Sequence, residues 1–221
     1  MKYVWICLLG CVIFFILFLS VFSYRNFVHI ETSSQHEVIL FDNPEERTVR
    51  YGELVGYPHM YEFSTRKEMT LSLSVAVPDN EEVQNIMSVI ILSVQKDGSV
   101  VEVARLRARE ASWESFYEPL GGDTYRRGGS FSASIQPGLY RVEVSTPDNA
   151  GSYVLFSGTE SVSERKGYFA SLQAVYALKV ALGKSGFTLI GSPLIYVPGL
   201  LSVLVVGMLW YVRSRGQNEN V

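Results

Sequence analysis

Two uncharged apolar runs, Tyr3 to Tyr24 and Ser185 to Val212, bracket a polar middle. Each is longer than the roughly 20 residues a helix needs to cross about 30 Å of hydrocarbon at about 1.5 Å per residue. Transmembrane helices at 3–24 and 194–212 would put both termini on one side of a membrane and leave everything between them as a loop tethered at both ends. In a chain of 221 residues that loop has room for one domain with one core.

Lys2 precedes the first run, and Arg213 and Arg215 follow the second. The positive-inside rule therefore expects cytoplasmic termini and an extracytoplasmic, periplasmic or extracellular, central domain. Arg25 and Lys184 flank the runs on the far side, but a long loop translocates largely regardless of its charge. The chain carries 22 acidic against 19 basic side chains, a net charge of −3. A phosphate backbone demands a clustered basic surface, so nucleic acid is not an expected partner. The lipid bilayer is, together with a membrane-protein partner or a second copy of the chain.

The only cysteines, Cys7 and Cys11, fall inside the first run, so no disulfide framework braces the central domain and its core must hold it. Leu8-Leu9-Gly10-Cys11 mimics a lipoprotein cleavage box, but little apolar sequence precedes it and a long stretch follows. Cleavage as a signal peptide near Ser23 is the alternative to a retained span; the run exceeds the about 7 to 15 apolar residues of a usual signal.

From His36 onward the hydrophobic period is two. His36 to Phe41 and Val49 to Leu54 are expected strands, split by the Asp42-Asn43-Pro44 turn signal. Met69, Leu71, Leu73, Val75 and Val77 share one face of a strand and small or hydroxyl residues the other, the pattern of a half-buried antiparallel strand. Ile86 to Val94 is more continuously apolar and is expected to be covered on both faces. Asp97-Gly98 turns it into Val100 to Leu106, where Val101, Val103 and Arg105 would point one way. Phe131, Ala133 and Ile135 form a further inward face, and Tyr140, Val142 and Val144 another. Tyr153 to Ser157 is expected to pair with that last strand as a hairpin. The reading is all-β: an antiparallel, jelly-roll-like β-sandwich over 36–158, flanked by the two transmembrane helices.

Tyr168, Phe169, Leu172, Val175, Tyr176, Leu178, Val180 and Leu182 recur near helical spacing with Ser171, Gln173 and Lys179 between them. They predict an amphipathic juxtamembrane helix over 166–183, ended by Gly183. Its apolar stripe has three possible partners: the sandwich, a second helix, or the lipid interface with Arg165, Lys166, Lys179 and Lys184 near headgroups.

No catalytic constellation emerges. Gly183-Lys184-Ser185 resembles the end of a phosphate loop, but Leu178 stands where the first glycine belongs. His29, His36 and His59 lack metal-ligand spacing, nucleophile elbows and Cys-His pairs are missing, and no cofactor is implied. The densest unusual stretch runs from Trp113 to Gly129. Trp113, Phe116, Tyr117 and Tyr125 lie there with Arg126, Arg127 and two glycine pairs, the composition of a loop that recognises a protein or a sugar. A crossover whose aromatics cap the core explains the same residues.

Pro137-Gly138-Leu139-Tyr140-Arg141-Val142-Glu143-Val144 followed by Gly151-Ser152-Tyr153-Val154-Leu155-Phe156-Ser157-Gly158 resembles the closing hairpin of secreted jelly-roll modules. Bacterial pre-peptidase C-terminal domains and the GOLD domains of vesicle cargo receptors are such modules, and the resemblance implies fold and exported location only. The layout of span, sandwich, helix and span is similar to that of prokaryotic two-span membrane proteins and implies no activity. The tail from Arg213 to Val221 has no dilysine signal, unlike the cargo receptors. The expected function is that of a non-enzymatic, membrane-anchored protein-binding module or accessory subunit of a membrane assembly, with binding of a carbohydrate or cell-envelope ligand as the alternative.

Overall fold

The computed structural model describes residue 10 and residues 26–30, 37–79, 87–118, 121–160, 168–181 and 184–218. The first expected span lies outside these apart from Gly10, as do Arg165 and Lys166. The chain divides into a β unit, 25–118 with 123–165, and a unit that holds 166–221.

The β unit has two sheets. Numbering strands along the chain, one sheet runs β1 (Asn26–Ile30), β3 (Thr48–Val55), β11 (Ala150–Ser157), β5 (Met69–Pro78), β9 (Asp123–Ile135) and β8 (Glu114–Glu118) from edge to edge. The other runs β2 (Val38–Leu40), β4 (His59–Thr65), β10 (Gly138–Ser145), β6 (Ser88–Val94) and β7 (Val100–Leu106). Leu71, Leu73 and Val75 of the first sheet share one apolar core with Tyr61, Val89, Ile91, Val142 and Val144 of the second. The period-two faces of β5 and β10 are buried as their alternation requires.

Several expectations are corrected. Residues 26–30, ahead of the expected sandwich at 36–158, are a strand of it, and β1 with β3 and β2 with β4 pair in parallel, so the sheets are antiparallel only away from those edges. Only one face of β6 is fully buried, through Val89 and Ile91, while Ile90, Leu92 and Val94 stay half-buried. β11 pairs with β3 and β5, not with β10. Residues 146–149 join the two strands, and Asn149 (φ 49°) and Gly151 (φ 108°) carry the chain from one sheet to the other. β7 turns the opposite way from its simple alternation: Ile91 pairs with Ala104 but Leu92 with Glu102, leaving Val103 as an extra residue. That bulge puts Ala104 and Leu106 on the core and leaves Val103 and Arg105 exposed.

In the second unit α1 (Tyr168–Ala181) is followed by a 3-10 turn (Gly186–Gly191) and α2 (Pro193–Asn218). Ser192 caps α2, its hydroxyl accepting from the Leu194 N–H, and Pro193 takes the first position, where a missing donor costs least. Pro193–Tyr211 is long and apolar enough to cross a membrane, with mean hydropathy 2.0. Apolar α1 residues lie on both its buried and its exposed sides: Val175 and Leu178 are buried, Phe169, Tyr176 and Val180 exposed. It is therefore not the one-striped amphipathic helix that its spacing predicts.

Candidate functional site

The stretch expected to be a loop from Trp113 to Gly129 is a hairpin. Phe116 pairs with Tyr125 and Glu114 with Arg127 across β8 and β9. Directly opposite residues share a face, so Phe116, Tyr125 and Arg127 look one way and Tyr117 and Arg126 the other. The Gly128-Gly129 pair explains itself here. Ser74 pairs with Ser130 but Ala76 with Arg127, so both glycines oppose Val75 in a bulge. The bulge reverses the strand's facing: Arg127 lies opposite outward Ala76, whereas Phe131 and Ile135 point to the core. Gly128 also lies against the Trp113 ring, which would meet an added Cβ at 2.7 Å.

Arg127 is the centre of the arrangement. Its guanidinium carbon sits 3.8 Å from the Phe116 ring centroid and 4.7 Å from that of Phe156 on β11, and the two rings meet edge to face at 5.7 Å. Stacking fixes a long cationic side chain against the ring faces. These three residues, with Arg47, Ser72 and Ser74, line an open groove of about 360 Å³ on one sheet. The groove offers two guanidinium groups, hydroxyls and ring edges, which suits an acidic or hydroxyl-rich ligand with an apolar face.

The six residues singled out in the sequence are thus divided. Phe116 and Arg127 enter the groove. Tyr117, 53% exposed, and Arg126, 3.6 Å from the Asp79 carboxylate, are on the other face of the hairpin. Tyr125 is buried, its hydroxyl pushed up by burial and by the nearby Asp123 and Glu118 carboxylates. Trp113 packs on the core, with its indole N–H donating to the Ala108 carbonyl at 3.0 Å. Phe156, Arg47, Ser72 and Ser74 escaped the sequence reading because strand order alone brings them to the hairpin. Of the expected interface cations, Lys179 is buried and Lys184 half-buried.

A second polar cluster lies inside the β unit. His59 Nδ1 and the Tyr153 hydroxyl are 2.7 Å apart, and the Tyr153 and Tyr61 hydroxyls 2.6 Å apart. Burial pulls the imidazole down to about 4 and pushes Tyr61 up to about 12. Buried Arg50 stacks 4.0 Å over Phe41 and donates to the Thr48 and Ser157 hydroxyls and the Asp42 carbonyl. His59, Tyr153 and Tyr61 satisfy one another in the interior, while Thr48 and Ser157, which accept from Arg50, also line the Arg127 groove. Among the described residues, no group of three His, Cys, Asp or Glu is assembled to hold a metal ion.

No protein-family model and no curated protein matches the chain. Among solved structures it is similar to the pre-peptidase C-terminal domain of a collagenase from Bacillus anthracis, at 18% identity over 56% of this chain and 97% of that one, with a TM-score of 0.35. It is also similar to PliG of Aeromonas hydrophila, a periplasmic inhibitor of g-type lysozyme, at 10% identity over 60% of this chain and 97% of that one, with a TM-score of 0.32. Likenesses this distant carry no inference about function.

Proposed function

We propose that this chain is a membrane-anchored, extracytoplasmic module that binds a partner protein through the Phe116–Arg127–Phe156 groove and serves as an accessory subunit of a membrane assembly. The observation that carries this reading is Arg127, stacked on Phe116 and beside Phe156 in the lining of an open groove. Aromatic and Arg side chains at a preorganised site are the residues that dominate protein interfaces. The strand order supports a jelly-roll: β3-β11-β5-β9 stands against β4-β10-β6-β7. The apolarity and length of Pro193–Tyr211 support the anchor. The full chain, purified in mild detergent, is expected to bring down a fixed set of membrane proteins that Arg127→Ala and Phe116→Ala lose while keeping the wild-type melting temperature. An unchanged set in both variants would remove the groove from the interface.

The Ser72 and Ser74 hydroxyls beside an aromatic ring favour a second reading, a carbohydrate or cell-envelope ligand. Binding of the full chain to glycans, lost in Phe116→Ala but kept in Trp113→Phe, would select it. Trp113 cannot itself offer a stacking face without leaving Gly128 and the core.

A further inference from the structure

The α1 to α2 unit buries polar side chains and exposes large apolar ones. Ser171, Lys179 and Ser192 are buried, and each has an interaction partner. The large exposed side chains are Phe169 at 80%, Tyr176 at 50%, Val180 at 52%, Phe187 at 82% and Ile190 at 62%, and the exposed hydroxyls of Ser185 and Thr188 bond within the turn itself. In α1 the exposed positions are Phe169, Ala170, Gln173, Tyr176, Ala177 and Val180, so Gln173 alone is polar. From residue 168 to 211 the sequence holds no acidic side chain, and Lys179 and Lys184 are its only charges. Water favours the reverse arrangement; hydrocarbon favours this one.

Backbone bonding agrees. Pro198, inside α2, has no N–H for the carbonyl of Leu194, four residues earlier. The Tyr168 hydroxyl donates to that carbonyl. Water would supply a donor at no cost, whereas a lipid surround leaves a neighbouring side chain to do so. The bond also fixes the path: the chain leaves along α1 and comes back through the 3-10 turn, so that α2 starts beside Tyr168.

We propose that α1 and the 3-10 turn are themselves immersed among lipid acyl chains, so that the lipid-facing surface on the C-terminal side of the β unit begins at Phe169 and not at Pro193. The inference rests on the membrane anchoring proposed above. It replaces an interfacial helix with cations at headgroup level by a helix and turn packed beside the start of the span, with Ser171, Lys179 and Ser192 turned toward protein. Acyl chains, rather than a partner helix, are the occupant because the exposed apolar surface continues, with half-buried Lys184 its one partly exposed charge, into the bare Leu200, Val203 and Leu204 surface of α2.

The test uses nitroxide labels on single cysteines at Phe169, Tyr176 or Phe187, in the full chain with Cys7→Ser and Cys11→Ser, reconstituted in phosphatidylcholine–phosphatidylglycerol vesicles. Accessibility to oxygen is compared with accessibility to a water-soluble nickel chelate. Val203, in the span, and Val55, 67% exposed on β3, serve as references. Labels at 169, 176 and 187 are expected to favour oxygen as Val203 does, with at least a severalfold preference over Val55. A nickel preference at 176 and 187 overturns the proposal, and so does exclusion of both reagents, which signals a protein partner. If Val203 also favours nickel, the anchoring reading fails with it; if Val203 favours oxygen, only the immersion of α1 and the turn fails.

Discussion

The Tyr168 hydroxyl donates to the Leu194 carbonyl, the acceptor that Pro198 deprives of its helical partner. A single aromatic residue in α1 thus satisfies a gap made four residues further along α2. Tyr168→Phe leaves that carbonyl unpaired and is expected to cost about 1–3 kcal/mol. Pro198→Ala restores the backbone donor, so the loss on Tyr168→Phe should shrink in that background. Melting temperatures of the four proteins in one detergent check the cycle; equal losses in both backgrounds would show that the bond does not compensate for the proline.

Gly128 has no room for a methyl group beneath the Trp113 ring. Gly128→Ala is expected to destabilise by about 1–3 kcal/mol through forced displacement of the indole, with a red shift and loss of Trp113 fluorescence intensity before global unfolding. Gly98, in the Asp97-Gly98 turn, has open space around its missing Cβ and a φ of +84°, so Gly98→Asn should be tolerated far better. Equal losses in the two variants would contradict the packing account.

Burial of His59 makes stability depend on pH in a definite direction. The imidazole stays neutral in the fold down to about pH 4, while the unfolded chain binds its proton near 6.5. Stability is therefore fully present above about pH 6.5 and is lost as pH falls from there towards 4, by on the order of 2 kcal/mol after allowance for partial solvent screening. Carboxylates titrate at the lower end of this window, so the measurement is a difference: His59→Gln should flatten the fall between pH 6.5 and 5. Parallel curves for the two proteins would contradict it.

Much of the β unit was legible because one-sided burial imposes a period of two. Met69 to Val77 and Tyr140 to Val144 announced themselves in this way. His59-Met60-Tyr61-Glu62-Phe63 carries the same signal in β4 but lies close behind Gly56-Tyr57-Pro58, whose turn character hid it. The facings of β7 and β9 were not legible as simple alternations, because Val103 and the Gly128-Gly129 pair add residues that reverse the side-chain direction. Nor does local pattern name a partner strand: Tyr153 to Ser157 reads as a strand in either sheet. The groove depends on that choice, since Phe156 reaches Arg127 only because β11 lies between β3 and β5. Helical spacing in α1 was correct in its period, but local spacing does not say which of its apolar residues are buried and which exposed.

Buried Arg50 is the one guanidinium wholly inside the β unit among the described residues, and its ring contact matters as much as its charge. Arg50→Ala is expected to lose about 3–5 kcal/mol, and Arg50→Lys to recover less than half of that. An ammonium lacks the planar face that lies on Phe41 and cannot fork to Thr48, Ser157 and Asp42 together. Denaturant midpoints measure both; full recovery by Lys would reduce the site to simple charge.

β11 arrives last and goes to the middle. Until residues 150–157 insert, β3 and β5 have no shared neighbour, and the sheet exists only as two separate edges with unpaired backbone groups. A chain emerging from a ribosome or a translocon therefore gains nothing lasting from its early strands, and must be kept from aggregating until almost the whole module is through. The apolar α2 segment follows soon afterwards, so on the proposed anchoring its insertion in the bilayer and closure of the sheet become nearly simultaneous events in the life of each molecule.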